Sequence, residues 1–459
     1  MMLRLKNIHI MGLVLCTLLL LPRTIHSQTT EARSLFQQID KNQKRHLNFL
    51  QQLIQTQKLG EEAVQELVAR RFKKLGCEVE TLKILPATLS MKHQFAAKES
   101  IPEVKRISVV AKYKGTGSGP SLLLFAHPDG EDTTNTLTWT RNPFGGEVEG
   151  DKIYGWGVAD DLAGVAAMAE ALDALLQNGY RPQGDVILCS TPAKKNAQGV
   201  IALLNHGIHA DASVYLHPAE SGVGMREIKA IASGLMRFRI TVTGKQPDTS
   251  EPGKTAFAHQ GVNAVDKATQ ITAALKKLNE ERGERIHHSK IHVAVGRSTN
   301  ILIGYINGGN PGGFTQVPEQ CVIGASITFP PGEKLSEIQS QIQTYITEAA
   351  QKDEWLSVNP PVIEWLFGTQ GVEVSDTHPL YLTVSDAITQ VTGESPFVNP
   401  LHSASDIRNP ILFSNIPTVG YGPLGGNLSQ NGHHDEWVRV SDFMRSIKVT
   451  AYTISQWCR

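Results

Sequence analysis

The chain has 459 residues, 41% hydrophobic and 19% charged, with a formal net charge of zero. That length allows two domains with ample core, and the composition is that of an ordinary globular protein and not of a disordered one. Zero net charge and the lack of a long basic run remove any electrostatic reason to expect nucleic acid or an anionic membrane as partner.

Residues 1–27 read as a secretory signal peptide. Arg4 and Lys6 form a short basic region, and Ile10 to Leu21 is an apolar core too short to span a bilayer comfortably. Ile25-His26-Ser27-Gln28 offers a cleavage site near Ser27. An uncleaved anchor is the alternative; Val14-Leu15 before Cys16 is a poor context for lipidation. The mature protein is expected to be soluble, exported (periplasmic or extracellular) and free of the membrane after cleavage. Cys77, Cys189, Cys321 and Cys458 are scattered without CxxC spacing. That argues against a disulfide framework or a cysteine metal cluster, and for burial as small apolar side chains.

Glu31 to Gln57 and Glu61 to Leu75 carry apolar residues at helical spacing, and Gly76 stops the second run. Cys77 to Ile84 and Arg106 to Tyr113 alternate as strands do, GTGSG at 115–119 is a turn, and Leu122 to Phe125 is a short buried strand. Leu162 to Leu176 predicts a helix, Asp185 to Ser190 a strand, Val200 to Asn205 a helix and Ala212 to Leu216 a strand. Strands alternating with helices indicate a parallel or mixed α/β sheet. The pattern then changes. Leu235 to Gly244 alternates strictly, Val262 to Leu278 and Leu335 to Ala350 are helical, and Ile291 to Val295, Ile301 to Ile306 and Val322 to Phe329 read as strands. This block predicts an inserted α+β unit with two helices over one face of an antiparallel sheet. A helix at Leu380 to Val391, a strand at Ile416 to Tyr421 and a final helix from Val440 return to the first domain.

The chemistry gathers between Leu122 and Gly164. The apolar strand ends on His127, Pro128 and Asp129, at the edge where open α/β sheets bind ligands. Asp160 follows a turn punctuated by Gly155 and Gly157 and opens an alanine-rich helix. Imidazole and carboxylate are ligands that zinc prefers, and a carboxylate shared by two cations is typical of two-metal hydrolases. An isolated histidine is more often structural than a ligand, so spacing alone leaves a metal site and a structural pair both open.

The run AHPDG…W…NPF…GDKIYGWGVADD resembles the M20 family of zinc-dependent amidohydrolases and peptidases, as do GVNAV at 261–265, PPGE at 330–333, SASDIR at 403–408 and GHHDEWV at 432–438. The resemblance covers nearly the whole mature chain, in order. It implies an α/β fold: a zinc-peptidase-like mixed-sheet catalytic domain at 31–232 and 347–459, interrupted by an inserted α+β lid and dimerisation domain at 233–346. By position, His127 matches the first zinc ligand, Asp160 the bridging carboxylate and Asp129 the carboxylate that orients the histidine. His217 sits where the family places Asp, Glu or His as ligand. The last ligand falls on His433 with a one-residue deletion, with His434 as runner-up. Asp406 and Arg408 match the motif that clamps a substrate carboxylate, a task suited to a fork-shaped guanidinium.

The departures are as informative. Where the family reads Thr-Pro-Asp-Glu-Glu, with a general base followed by a zinc ligand, this chain reads Thr191-Pro192-Ala193-Lys194-Lys195. An ammonium repels a metal ion instead of binding it. The lid histidine of the family falls on Asp248, its asparagine and arginine on Thr315 and Thr328, and His259 is a substitute donor or a plain surface residue.

Three readings follow. In the first, the chain is an exported metallo-hydrolase with an altered site, holding one zinc ion in preference to two on His127, Asp160, His217 and His433. Lys194 then serves as base or oxyanion partner, and the reaction cleaves an amide or peptide bond beside a free carboxylate in a small molecule or peptide. A homodimer through the inserted domain is implied by the resemblance only. The second is a non-catalytic binding or interaction protein in which Lys194 and Lys195 neutralise Asp160 and Asp129. The third places the true acidic residues elsewhere, with Asp211 and Glu220 as candidates.

Overall fold

The computed structural model describes residues 22–130, 138–194, 197–400, 405–426 and 434–459, with side chains from residue 31 onward. In chain order, helices α1 (Pro22–Lys41), α2 (Gln43–Thr56) and α3 (Glu61–Lys74) precede strands β1 (Glu78–Ile84), β2 (Gln94–Ala96), β3 (Arg106–Tyr113) and β4 (Leu122–Ala126). Next come α4 (Ala163–Gln177), β5 (Val186–Ser190), α5 (Gly199–Asn205), β6 (Ala212–Leu216) and β7 (Gly234–Thr243). Helices α6 (Ala264–Arg285) and α7 (Ser289–Val295), strands β8 (Asn300–Gly308) and β9 (Gln320–Phe329), and helix α8 (Leu335–Ala350) follow. The chain closes with β10 (Val362–Thr369), α9 (Pro379–Thr392), α10 (Arg408–Ser414), β11 (Thr418–Tyr421) and α11 (Val440–Trp457).

The first sheet has six strands in the order β1-β3-β5-β4-β6-β11. Strands β5, β4, β6 and β11 run parallel, and β1 and β3 add an antiparallel flank. Every residue of β4, β5 and β6 is buried, as expected of strands covered on both faces. Their alternation splits the core in two. Leu122, Leu124, Leu188 and Val214 pack with α4 and α11, while Leu123, Phe125, Ile187 and Tyr215 pack with α5. A mixed α/β sheet is thus what the sequence predicts and what the chain forms.

The second sheet is antiparallel, five-stranded and ordered β8-β9-β7-β10-β2. Met236, Phe238, Ile240 and Val242, at alternate positions of β7, face Ile271 and Leu275 of α6 and Ile338 and Ile342 of α8. Two local expectations need correction. Ile291 to Val295 is not a strand but the body of α7, started where the His288 ring accepts from the Ile291 N–H and stopped at Gly296 with φ +79°. Only Ile291 of that run is buried, so its alternation has no core face to serve. The antiparallel layer also continues past residue 346: β10 pairs with β7, and β2, from the amino-terminal half, pairs with β10. Among the described residues no helix is long and apolar enough to cross a membrane.

Candidate metal centre

Three neighbouring parallel strands build the site. With Ala126 opposite Ser190 and Phe125 opposite Tyr215, the carboxyl ends of β4, β5 and β6 lie side by side. His127 follows the first, Thr191 to Lys194 the second and His217 the third. Asp160 is brought over them by the start of α4, which can approach β6 only because residue 164 is glycine. A Cβ there would stand 2.2 Å from the Leu216 carbonyl oxygen.

The side chains of His127, Asp160 and His217 meet, all buried. His127 Nε2 is 2.9 Å and His217 Nε2 3.3 Å from Asp160 Oδ1. One ligand atom from each residue falls within 4.8 Å of the others. His127 Nδ1 lies 2.9 Å from the carbonyl oxygen of Asp129, which only accepts, so Nδ1 carries the hydrogen and Nε2 is the nitrogen presented. The Asp129 carboxylate stands behind it, 3.4 Å from the same nitrogen. It is held from the other side by the N–H groups of Ala193 and Lys194, at 3.0 and 2.9 Å, and by Arg106 at 2.9 Å. Arg106 in turn bonds Glu61. The Lys194 ammonium donates to Asp160 Oδ2, while the two imidazole nitrogens approach Oδ1.

These contacts set the charges. Burial alone would lower the His127 imidazole, but Asp160 and Asp129 raise it well above its ordinary value. Burial would likewise raise Asp160, yet Lys194, His217 and His127 hold it well below the carboxylate range. Burial lowers His217 against the pull of Asp160, which favours the neutral form a metal ligand requires. The buried Asp161 carboxyl is pushed well above the carboxylate range, first by burial, with Asp160 adding to it against the attraction of His127.

Other expected residues fall as follows. Asp406 and Arg408 border a cavity of about 60 Å³ with Ala193, Gly199 and two rings of the second sheet, Phe95 and Phe367. Ala193, which lines it, donates to the Asp129 carboxylate behind His127. The Arg408 guanidinium is buried, with Nη1 donating to Ser405 O at 2.7 Å, and burial lowers its pKa. His433 and Lys195 lie outside the described residues. His434 is not brought to the cluster: it is exposed, and the buried acidic residue of this stretch is Glu436. Asp211 sits at the opposite end of β6, accepting from Ser121, and so cannot serve as a missing ligand. Glu220 is 3.9 Å from Lys229, in the loop after His217.

Two contributors escape the sequence reading. The buried Glu436 carboxylate accepts from the backbone N–H groups of Gly157, Ala159 and Asp160, at 3.1, 2.7 and 3.2 Å, and so holds the turn that presents Asp160. Burial and then Asp160 push it up to about 8. Its place in GHHDEWV is visible, but the partner turn lies far back in the chain. Arg106 stands at the head of β3 with no local mark of its role.

Two imidazoles and a carboxylate at a sheet edge fit a divalent cation, with room left in its coordination for water or substrate. The chain is 25% identical over 444 residues to N-formyl-4-amino-5-aminomethyl-2-methylpyrimidine deformylase of Halalkalibacterium halodurans, covering 92% of this chain and 96% of that protein. It is 28% identical over 347 residues to succinyl-diaminopimelate desuccinylase of Rhodopseudomonas palustris, covering 72% and 81%. The fold matches that of aminopeptidase PepT from Bacillus cereus with a TM-score of 0.66 at 17% identity, over 91% of this chain and 99% of that one. The model of peptidase family M20/M25/M40 matches residues 123–456, a span that includes the clustered histidines and aspartates. The chain belongs to peptidase family M20/M25/M40.

Proposed function

We propose that this chain is an exported, zinc-dependent hydrolase that cleaves an amide or peptide bond next to a free carboxylate in a small substrate. The convergence of His127, Asp160 and His217 carries this reading. Two relatives whose names describe deformylation and desuccinylation support acyl removal from nitrogen as the reaction class. The basic and apolar segments before Ser27 support export.

His127, Asp160 and His217 would hold the ion, which when bound polarises the scissile carbonyl and activates water. Asp129 keeps the His127 ring in one tautomer and orientation. Glu436 fixes the turn that carries Asp160. Arg408 offers a desolvated guanidinium to the substrate carboxylate, beside a cavity with room for that group. A homodimer through the second sheet belongs to this reading: β8 ends that sheet, with Leu302 64% and Ile306 53% exposed.

The test is metal analysis of the purified mature protein together with assays on N-acyl amino acids and dipeptides. Bound zinc, and turnover abolished by Asp160→Ala, are expected. No bound metal at neutral pH and no turnover would sink the reading, leaving the fold as a binding module.

A further inference from the structure

We propose that Lys194 is a built-in cation of this centre, taking the second oxygen of Asp160 in place of a second metal ion and leaving one divalent ion for His127, Asp160 Oδ1 and His217. The inference rests on the metal reading above and concerns what this chain's own lysine does there.

The two oxygens of Asp160 are already divided. Oδ1 faces the two imidazole nitrogens, at 2.9 and 3.3 Å, and Oδ2 receives the Lys194 ammonium. A carboxylate placed between two positive centres is the arrangement of two-metal hydrolases. Here one of those centres is tethered to the chain. The tether is held firmly at its base. Lys194 N donates to Asp129 Oδ2 and Ala193 N to Asp129 Oδ1, while Arg106, itself bonded to Glu61, grips the same carboxylate. The backbone that carries the lysine is therefore fixed to the loop that carries His127, and its side chain is only 19% exposed. A freely solvated lysine would show neither feature. The consequence is electrostatic: an ammonium sharing a carboxylate with a divalent ion repels that ion and weakens its binding, while denying Oδ2 to another.

Zinc binding by the full chain tests this, read by elemental analysis after dialysis against chelator and by competition with a chromophoric chelator at neutral pH. The wild-type chain should hold one equivalent and take up no second at excess zinc. Lys194→Met and Lys194→Gln, checked for fold by circular dichroism, should still hold one equivalent but about tenfold or more tightly, because the like charge is gone. Lys194→Glu should gain a second equivalent. Two tight equivalents in the wild type would overturn the proposal while leaving the hydrolase reading intact. Unchanged or weaker binding in both neutral variants would overturn it too. Zinc bound by neither the wild type nor any variant is a different failure: it removes the metal reading, and this proposal with it.

Discussion

Lys229 Nζ and Glu227 Oε1 lie 2.6 Å apart, and both side chains are wholly buried. The ammonium also donates to Pro218 O at 2.6 Å, and the other Glu227 oxygen accepts from the N–H groups of Glu220 and Ser221, at 3.0 and 2.6 Å. Three bonds from this ion pair thus tie down the loop that leaves β6 directly after His217. The pair sets the position of a proposed ligand without touching it.

Removing one partner of such a pair strands a charge in the interior, at a cost of about 3–5 kcal/mol. Lys229→Met should lower the unfolding free energy by that amount in chemical denaturation. A Lys229→Met, Glu227→Met double variant should recover only part of it, since the Glu220 and Ser221 N–H groups lose their acceptor. Full recovery would mean that those two bonds contribute nothing.

The same pair makes a pH prediction. Burial would raise the Glu227 carboxyl, but Lys229 and Ser221 hold it below its ordinary value of 4.5. A carboxyl whose pKa is depressed by folding contributes stability that is present above the unfolded value and lost as pH falls through the folded one. The stability gap between wild type and Glu227→Gln should therefore be full near neutrality and shrink as pH drops below about 4.5. A gap that is constant down to strong acid would contradict the assignment.

What was readable in the sequence was local. His127 and His217 each follow an apolar run that forms a parallel strand, so their arrival at one sheet edge follows from the run and the fold class. Asp160 is marked by its glycines. The unread parts are contacts across the chain: Arg106 to Asp129, Glu436 to the turn it holds 276–279 residues earlier, and the pairing of β2 with β10. Lys229 and Glu227 stand two residues apart, as they would on one face of an exposed strand, and nothing nearby signals that both are buried. The misread α7 fails for the opposite reason, because alternating valines imitate a strand when no partner strand takes them.

Asp129 supports a third prediction. Its carboxylate collects Ala193, Lys194 and Arg106 and stands behind the His127 ring. Asp129→Asn keeps the shape but loses the charge and half of the accepting capacity. Zinc affinity should fall by about 10–100-fold, as for other groups that orient a ligand from outside. Competition with a chelator measures it. Affinity equal to wild type would show that the Asp129 backbone carbonyl alone orients the ring.

Burial makes a fourth prediction, about the thiols. Cys77, Cys189, Cys321 and Cys458 are all free and buried, and burial pushes the Cys77 and Cys458 thiols up to about 12. The thiolate is the reactive form, so native protein should resist a maleimide at neutral pH and react fully once denatured. Rapid labelling of native protein at Cys77 or Cys458 would place either residue in a looser environment than its packing indicates.

Arg408 carries the claim about substrate. Its guanidinium is buried beside Asp406, in a cavity shared with Phe95 and Phe367 and bounded by Ala193, one residue from Lys194. A hydrogen bond to a charged group contributes about 1.5–3 kcal/mol, or roughly ten- to a hundredfold in binding. Arg408→Met should therefore lower kcat/KM by that factor on an N-acyl amino acid, mainly through KM. On the matching N-acyl amino acid amide, which lacks the carboxylate, wild type and variant should be equally slow. The comparison separates recognition from general damage, because a misfolded variant would lose activity on both. An equal loss on acid and amide would remove Arg408 from the carboxylate site and leave its burial beside Asp406 as a feature of packing alone.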